Sequence, residues 1–399
     1  MGRCFYRAAE IVLCFYLGLF WRDGAMSFNL DTTRPLFFSH SDNQSQFGFA
    51  FTLHQVGENF KLIAGAPRAQ SQAFSPGQVD RSGAVFNCPI DVASTESPEC
   101  EEVVLDRVDE IREVERLHVL STSQALLRLR AIFCDATSRL KKSHNNKLVY
   151  GAPGSHIWEG AAWRTDGTID DSSRNSFIPR AHRARYGREF YLGYSVALGN
   201  FKGDSELEYA ISQPRYNHGY GRVLLYDENG NYYLQLSSST LGTYFGHAMA
   251  VSDLNNDGSE DLIISAPLYT DADRNIAAGW EVGKVSIYYN DKQGGFSENY
   301  GIAIGTQEGC RFGYSLAALG DINQDGFNDL AVGAPFCGDG QDGKVFIYHG
   351  SGVNIPIDLT PKQILTPSET QRPLKYFGFA LSAGMDVDRN TYPGIEFHS

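Results

Sequence analysis

In the second half of the chain, short apolar runs come in pairs separated by a loop of Asp, Asn and Gly. The segments are YFGHAMAVSDLNNDGSEDLIISAP from Tyr244, RFGYSLAALGDINQDGFNDLAVGAP from Arg311 and YFGFALSAGMDVDRNTYPGI from Tyr376. Each run is four to eight residues long and bounded by turn formers, which predicts strands rather than helices. A further run ends a unit: GRVLLYD from Gly221 ahead of the first pair, GKVSIYYND from Gly283 after it and GKVFIYHG from Gly343 after the second. Val285, Ile287 and Tyr289 alternate with polar residues, the pattern of a strand with one face buried.

The units begin at Leu192, Phe245, Phe312 and Phe377, about 50 to 70 residues apart, long enough for a four-stranded unit with extended connections. One such unit cannot bury its own apolar face and has to stack on its neighbours. Evenly spaced strands with little helical periodicity predict a radial, all-β architecture.

The chain has 399 residues, 41 glycines and a net charge of -13. That acidity opposes a nucleic-acid partner, which would call for a basic face, and suits cations. Arg3 and Arg7, the apolar run IVLCFYLGLFW and the small residues around Ala25-Met26-Ser27 predict a secretory leader cleaved after Ser27. The run is short of the ~20 residues a membrane span needs. Cys4 and Cys14 fall in that leader. Cys88 and Cys100 bracket a Pro-containing loop, and Cys310 and Cys337 lie just outside one predicted hairpin, so both pairs are expected to form disulfides in an oxidising compartment. Cys134 is left over, and Asn43 begins the one glycosylation sequon.

In the first loop Asp253, Asn255, Asp257 and Asp261 stand at positions 1, 3, 5 and 9, with the carbonyl of Ser259 at position 7 and Gly258 at the sharp turn. The second loop repeats this with Asp321, Asn323, Asp325, the Phe327 carbonyl and Asp329 around Gly326. A third offers Asp386, Asp388, Asn390 and the Tyr392 carbonyl, but Gly394 replaces the carboxylate at position 9. Several hard oxygens in a flexible loop suit Ca²⁺ better than Mg²⁺, which demands tighter octahedral geometry. Strands on both sides, and Ile264, Val332 and Phe397 where an EF-hand needs glutamate, make these hairpin loops. A fourth candidate, NFKGDSELE from Asn200, puts Lys202 at position 3, and no metal is expected there.

The Phe-Gly to Gly-Ala-Pro repeats with their DxNxDGxxD loops resemble the FG-GAP repeats of integrin α subunits. FNLD from Phe28, GAPGSHIWEGAAW from Gly151 and FYLGYSVALGNF from Phe190 are similar to segments of the same family. The resemblance implies a seven-bladed β-propeller head without an inserted domain, incomplete in blades 2/3 and 7. Its calcium loops would be structural and lie on the face away from the ligand. It also implies a β subunit as partner, a matrix or cell-surface protein as ligand, and attachment to a membrane only through regions of the family beyond this chain. The expected layout is a leader at 1–27 and a propeller at 28–399. Within the propeller, blade 1 covers about 28–91, an irregular segment 92–145 and the rest of blade 3 about 146–180. Blade 4 covers about 190–230, blade 5 about 240–292, blade 6 about 308–352 and a truncated blade 7 about 370–399. Glu189, just before the fourth repeat, is a candidate for receiving a ligand's arginine, although adjacent Arg188 opposes a cationic guest.

The charged, helix-favouring stretch from Val108 to Lys142 lacks the repeat marks, and the chain breaks off in GIEFHS before the strands that would finish the last blade. An unclosed ring with open sheet edges is the expectation. Enzyme motifs fail: GDGQDGK from Gly338 runs into a strand rather than the helix a phosphate cradle needs, and Ala197 and Ala317 replace the second glycine of a nucleophile elbow. No zinc spacing occurs among the ten histidines. A non-enzymatic adhesion head is therefore expected, with a soluble decoy form or the propeller module of a secreted hydrolase as alternatives.

Overall fold

The computed structural model describes residues 190–271, 279–297, 301–352, 360–367, 375–385 and 394–398, except 205 and 339, and before these the strand segments named below with a few flanking residues. The third acidic loop, Glu189, Asn43 and Cys134 lie outside the described residues.

Twenty-four strands form six four-stranded antiparallel sheets among the described residues. Two strands come first, β1 (Ile11–Tyr16) and β2 (Leu30–Phe38). The next sheet is built from β3 (Ala50–Val56), β4 (Asn59–Ala66), β5 (Ala84–Ile90) and β6 (Glu101–Val103). It is followed by β7 (Ala136–Arg139), β8 (Lys147–Ala152), β9 (Ala161–Asp166) and β10 (Asn175–Ile178). Then come β11 (Val196–Gly199), β12 (Glu208–Gln213), β13 (Arg222–Tyr226) and β14 (Tyr232–Ser237). The first full repeat gives β15 (Met249–Ser252), β16 (Asp261–Ala266), β17 (Lys284–Tyr288) and β18 (Gly301–Ile304). The second gives β19 (Ser315–Gly320), β20 (Asp329–Ala334), β21 (Lys344–Tyr348) and β22 (Gln363–Leu365). The chain then adds β23 (Ala380–Met385) and β24 (Gly394–His398).

The first strand of each unit is its innermost. β3, β7, β11, β15, β19 and β23 touch one another in that order, and β23 returns to β3. The contacts close a ring, and the architecture is the expected incomplete β-propeller, with six sheets among the described residues. The chain between β6 and β7, where the repeat marks fail in the sequence, contributes no further described sheet.

The last sheet runs β2-β1-β24-β23, so both ends of the chain build it. The expected open edge on the last blade is therefore corrected: β1 pairs antiparallel with β24, from Ile11 opposite His398 to Cys14 opposite Ile395, and β2 pairs with β1. The physical reason is the unpaired row of backbone donors and acceptors on β24, which any nearby extended segment can satisfy. Ile11–Tyr16 lies inside the segment expected to act as a leader, while Leu30–Phe38, assigned from sequence to blade 1, joins the last sheet instead.

Stacking explains the burial. β12, β16 and β20 are buried at every residue because a sheet lies against each of their faces. Ser286, between Val285 and Ile287, is also buried, so the half-exposed strand predicted there is covered on both sides. The repeat's Phe fills the seam between sheets. Phe377 packs with Val345, Ile347 and Ala331 of the preceding unit, and Phe245 with Val223, Leu225 and Ala210. The glycine that opens the third strand makes this possible. At Gly343, with φ +90°, a Cβ would sit 2.2 Å from the Phe377 carbonyl oxygen, and Gly283 meets Phe312 in the same way at 2.1 Å. Cys88 bonds Cys100 and Cys310 bonds Cys337, as expected.

Candidate functional site

The two acidic loops join the first strand of a unit to the second, and their hydrogen bonds match almost atom for atom. Asp253 accepts the N–H groups of Asp257 (3.1 Å) and Gly258 (2.9 Å); Asp321 accepts those of Asp325 (3.0 Å) and Gly326 (2.8 Å). Asn255 and Asn323 accept from the same Asp257 and Asp325 amides, at 3.2 and 2.9 Å. Asp257 and Asp325 in turn accept from Ser259 and Phe327, at 2.9 and 3.0 Å. These are the local side-chain turns that Asp and Asn favour. Asn256 (φ 52°) and Gln324 (φ 58°) adopt the left-handed conformation just before the second carboxylate.

Asp261 and Asp329 close the loops from below, each fully buried. Asp261 accepts from Leu254 N–H at 3.0 Å and Asn290 N–H at 3.0 Å; Asp329 accepts from Ile322 and Gly350, also at 3.0 Å. Burial pushes the Asp261 carboxyl up to about 7, with Asp253 and Asp257 adding to the rise and the two N–H groups opposing it. Asp329 is likewise pushed up to about 7 by burial, reinforced by Asp325 and Asp321. Each loop thus concentrates negative charge around a buried carboxylate, and a cation would relieve it.

No three His, Cys, Asp or Glu side chains among the described residues are gathered tightly enough to hold a metal by themselves. The carboxylates are instead spread over backbone N–H groups, and two of the five expected donors in each loop are an amide and a main-chain carbonyl. The chemistry of the donor set, its duplication and the buried charge fit a hard divalent cation. Lys292 adds one feature that the sequence reading missed: its ammonium donates to the Asp257 carbonyl at 2.8 Å and stands 3.7 Å from the Asp257 carboxylate. The loop at Asn200 departs from this pattern. Glu208 takes the place of Asp261, accepting Phe201 N–H at 2.7 Å and pushed up to about 7 by burial, while Lys202 stands at position 3.

At the opposite end of the inner strands lies a second feature. The residue after each Phe-Gly or Leu-Gly glycine is a ring: Tyr194, His247, Tyr314 and Phe379. They contact one another in that order, with centroids 5.2, 4.5 and 4.9 Å apart. Tyr244 and Phe336 extend the belt, at 5.3 Å from Tyr194 and 5.6 Å from Tyr314, and Tyr376 lies 5.6 Å from Phe336. Arg311 crosses the Phe336 ring at 4.8 Å and pairs with Glu281 at 2.7 Å. Burial lowers His247 to about 4, so its ring is uncharged at neutral pH. Recurrence of a ring after the glycine was legible in the sequence, but only the topology shows that the rings converge.

The FG-GAP repeat family matches residues 245–288 and 312–348, the two units that carry the matching loops. Integrin alpha-8 of Gallus gallus is 36% identical over 274 residues, covering 66% of this chain and 26% of the relative. Integrin alpha-PS2 of Drosophila melanogaster is 29% identical, covering 93% of this chain and 33% of the relative. The chain belongs with the amino-terminal FG-GAP regions of integrin α subunits. It spans about a fifth to two fifths of the length of the integrin α relatives it matches. A solved eukaryotic initiation factor aligns at TM-score 0.32 and 11% identity over 85% of this chain and 63% of that chain, too weak to bear on the fold.

Proposed function

We propose that this integrin α region is a non-enzymatic adhesion head at the cell surface, stabilised by calcium and paired with a β subunit. A matrix or cell-surface protein would be its ligand. The observation that carries this reading is the polarity of the repeat. Each inner strand from β15 to β19 has a ring residue shortly before its start and an acidic loop at its end, so the aromatic belt and the loops fall on opposite faces. Aromatic ring faces attract a cationic side chain through their quadrupoles, as Arg311 on Phe336 illustrates, and half-buried Tyr and Phe are favoured at interfaces. The belt is therefore assigned to the β subunit.

The loops would hold calcium through Asp253, Asn255, Asp257, the Ser259 carbonyl and Asp261, and through Asp321, Asn323, Asp325, the Phe327 carbonyl and Asp329. Asp386, Asp388, Asn390 and the Tyr392 carbonyl are a third candidate. Bound calcium would neutralise the crowded carboxylates, and its binding free energy would become folding free energy for the hairpins.

Co-expression with an integrin β head tests the pairing. A complex recovered in calcium and weakened at least tenfold by Tyr314→Ala or His247→Lys is expected. A complex indifferent to both substitutions, or none at all with the correctly folded chain, would contradict the assignment.

A further inference from the structure

Position 8 of each acidic loop sits between two expected ligands, yet its side chain serves a neighbouring loop. Asn328, at position 8 of the Asp321 loop, donates its amide N–H to the main-chain carbonyl of Asp253 at 2.9 Å. Asp253 is position 1 of the loop in the preceding sheet. Glu260, at position 8 of the Asp253 loop, repeats the arrangement one sheet earlier, accepting the N–H of Asn200 at 2.6 Å. Asn200 is position 1 of its own loop. The contact at Asn328 is reinforced by Ser351 N–H, which donates to the Leu254 carbonyl at 3.2 Å. Gly350 leaves no room for a side chain there, since a Cβ would stand 2.3 Å from the Asn328 carbonyl and 2.6 Å from that of Leu254.

We propose that Asn328 is a positioning residue that couples the two loops, so that filling the Asp321 loop with calcium tightens binding at the Asp253 loop. This rests on the calcium reading above. An ion held by the Phe327 carbonyl and the Asp329 carboxylate fixes the backbone on both sides of Asn328. Its amide then holds the Asp253 carbonyl, and with it the backbone of the first ligand in the next loop. The Asp253 loop meets part of its ordering cost before its own ion arrives, which is positive coupling through conformational entropy. Linkage makes the effect reciprocal. Glu260 makes the matching contact to the Asn200 loop, where Lys202 occupies position 3 and no metal is expected.

Calorimetric titration of the full chain with calcium chloride tests this by a double-mutant cycle. The Asp321 loop is disabled with Asp321→Asn and Asp325→Asn, and affinity at the Asp253 loop is measured with Asn328 intact, replaced by Ala, or replaced by Asp, which keeps the size but cannot donate. Each variant's fold is checked by thermal unfolding. The expected result is a loss of about fivefold or more in Asp253-loop affinity on disabling the other loop when Asn328 is present, within the range typical of coupled sites, and no further loss in either Asn328 variant. An equal loss with and without Asn328, or no loss with it, overturns the coupling while leaving calcium binding standing. Absence of calcium heat in the unaltered chain overturns the calcium reading itself and the coupling with it.

Discussion

Asp261 and Asp329 set the behaviour of the acidic loops. Both carboxyls are raised from their usual 3.8 to about 7 in the metal-free fold, chiefly by burial. Between about 4 and 7 the folded chain therefore keeps protons that the unfolded chain has released, and stability falls as pH rises through that window. Thermal unfolding in chelator should show a melting temperature that drops from pH 4.5 to pH 8, and Asp329→Asn should flatten the drop. His247, lowered to about 4, acts in the other direction below its unfolded value near 6.5 and limits the gain at the acid end. In excess calcium the trend should reverse, because the ion binds only deprotonated ligands. A metal-free melting temperature that climbs steadily to pH 8 would count against the buried-charge description. The ligand positions were legible from the spacing of Asp253 to Asp261 and of Asp321 to Asp329. Lys292 was not, because nothing in the sequence places the hairpin after β17 beside the Asp257 carbonyl.

At the scale of the element, glycine and phenylalanine lock each unit to the next. The strand-opening glycine of GKV recurs in the sequence and reads there only as a turn residue. The structure gives its purpose: its missing Cβ admits the Phe-Gly backbone of the following unit. Gly343→Ala should cost about 3 kcal/mol or more, combining left-handed strain with a backbone collision. Gly258→Ala, with φ +85° and nothing within 4 Å of its Cβ, should cost only the strain of about 1–2 kcal/mol. Urea midpoints of the two variants check the difference; equal costs would mean that the seam at Phe377 yields easily. Strand identity was readable wherever apolar runs met turn residues, as in DLIISAP and DLAVGAP. The outer strands β18 and β22 were missed because they follow long connections and are only four and three residues long.

For the molecule as a whole, the sequence pointed to radial stacking, and the inner strands do follow one another in a closed cycle. Ring size was not legible. Seven came from resemblance, with blades 2/3 and 7 incomplete, and six sheets meet around the axis among the described residues. Nor was the make-up of the last sheet, since strand partners of remote sequence position leave no local signal: β1 reaches β24 only because the ring brings the two ends of the chain together. The polarity of the repeat puts the aromatic belt at one end and the acidic loops at the other, the arrangement on which the proposed function rests.

A crystal structure grown in millimolar calcium tests the central claim most directly. The expected result is six sheets around one axis with a calcium peak in each hairpin. One ion would be held about 2.3–2.6 Å from Asp253, Asn255, Asp257, the Ser259 carbonyl and Asp261, and the other by the matching set from Asp321 to Asp329. Water alone in both hairpins, or sheets packed without a common axis, would contradict it.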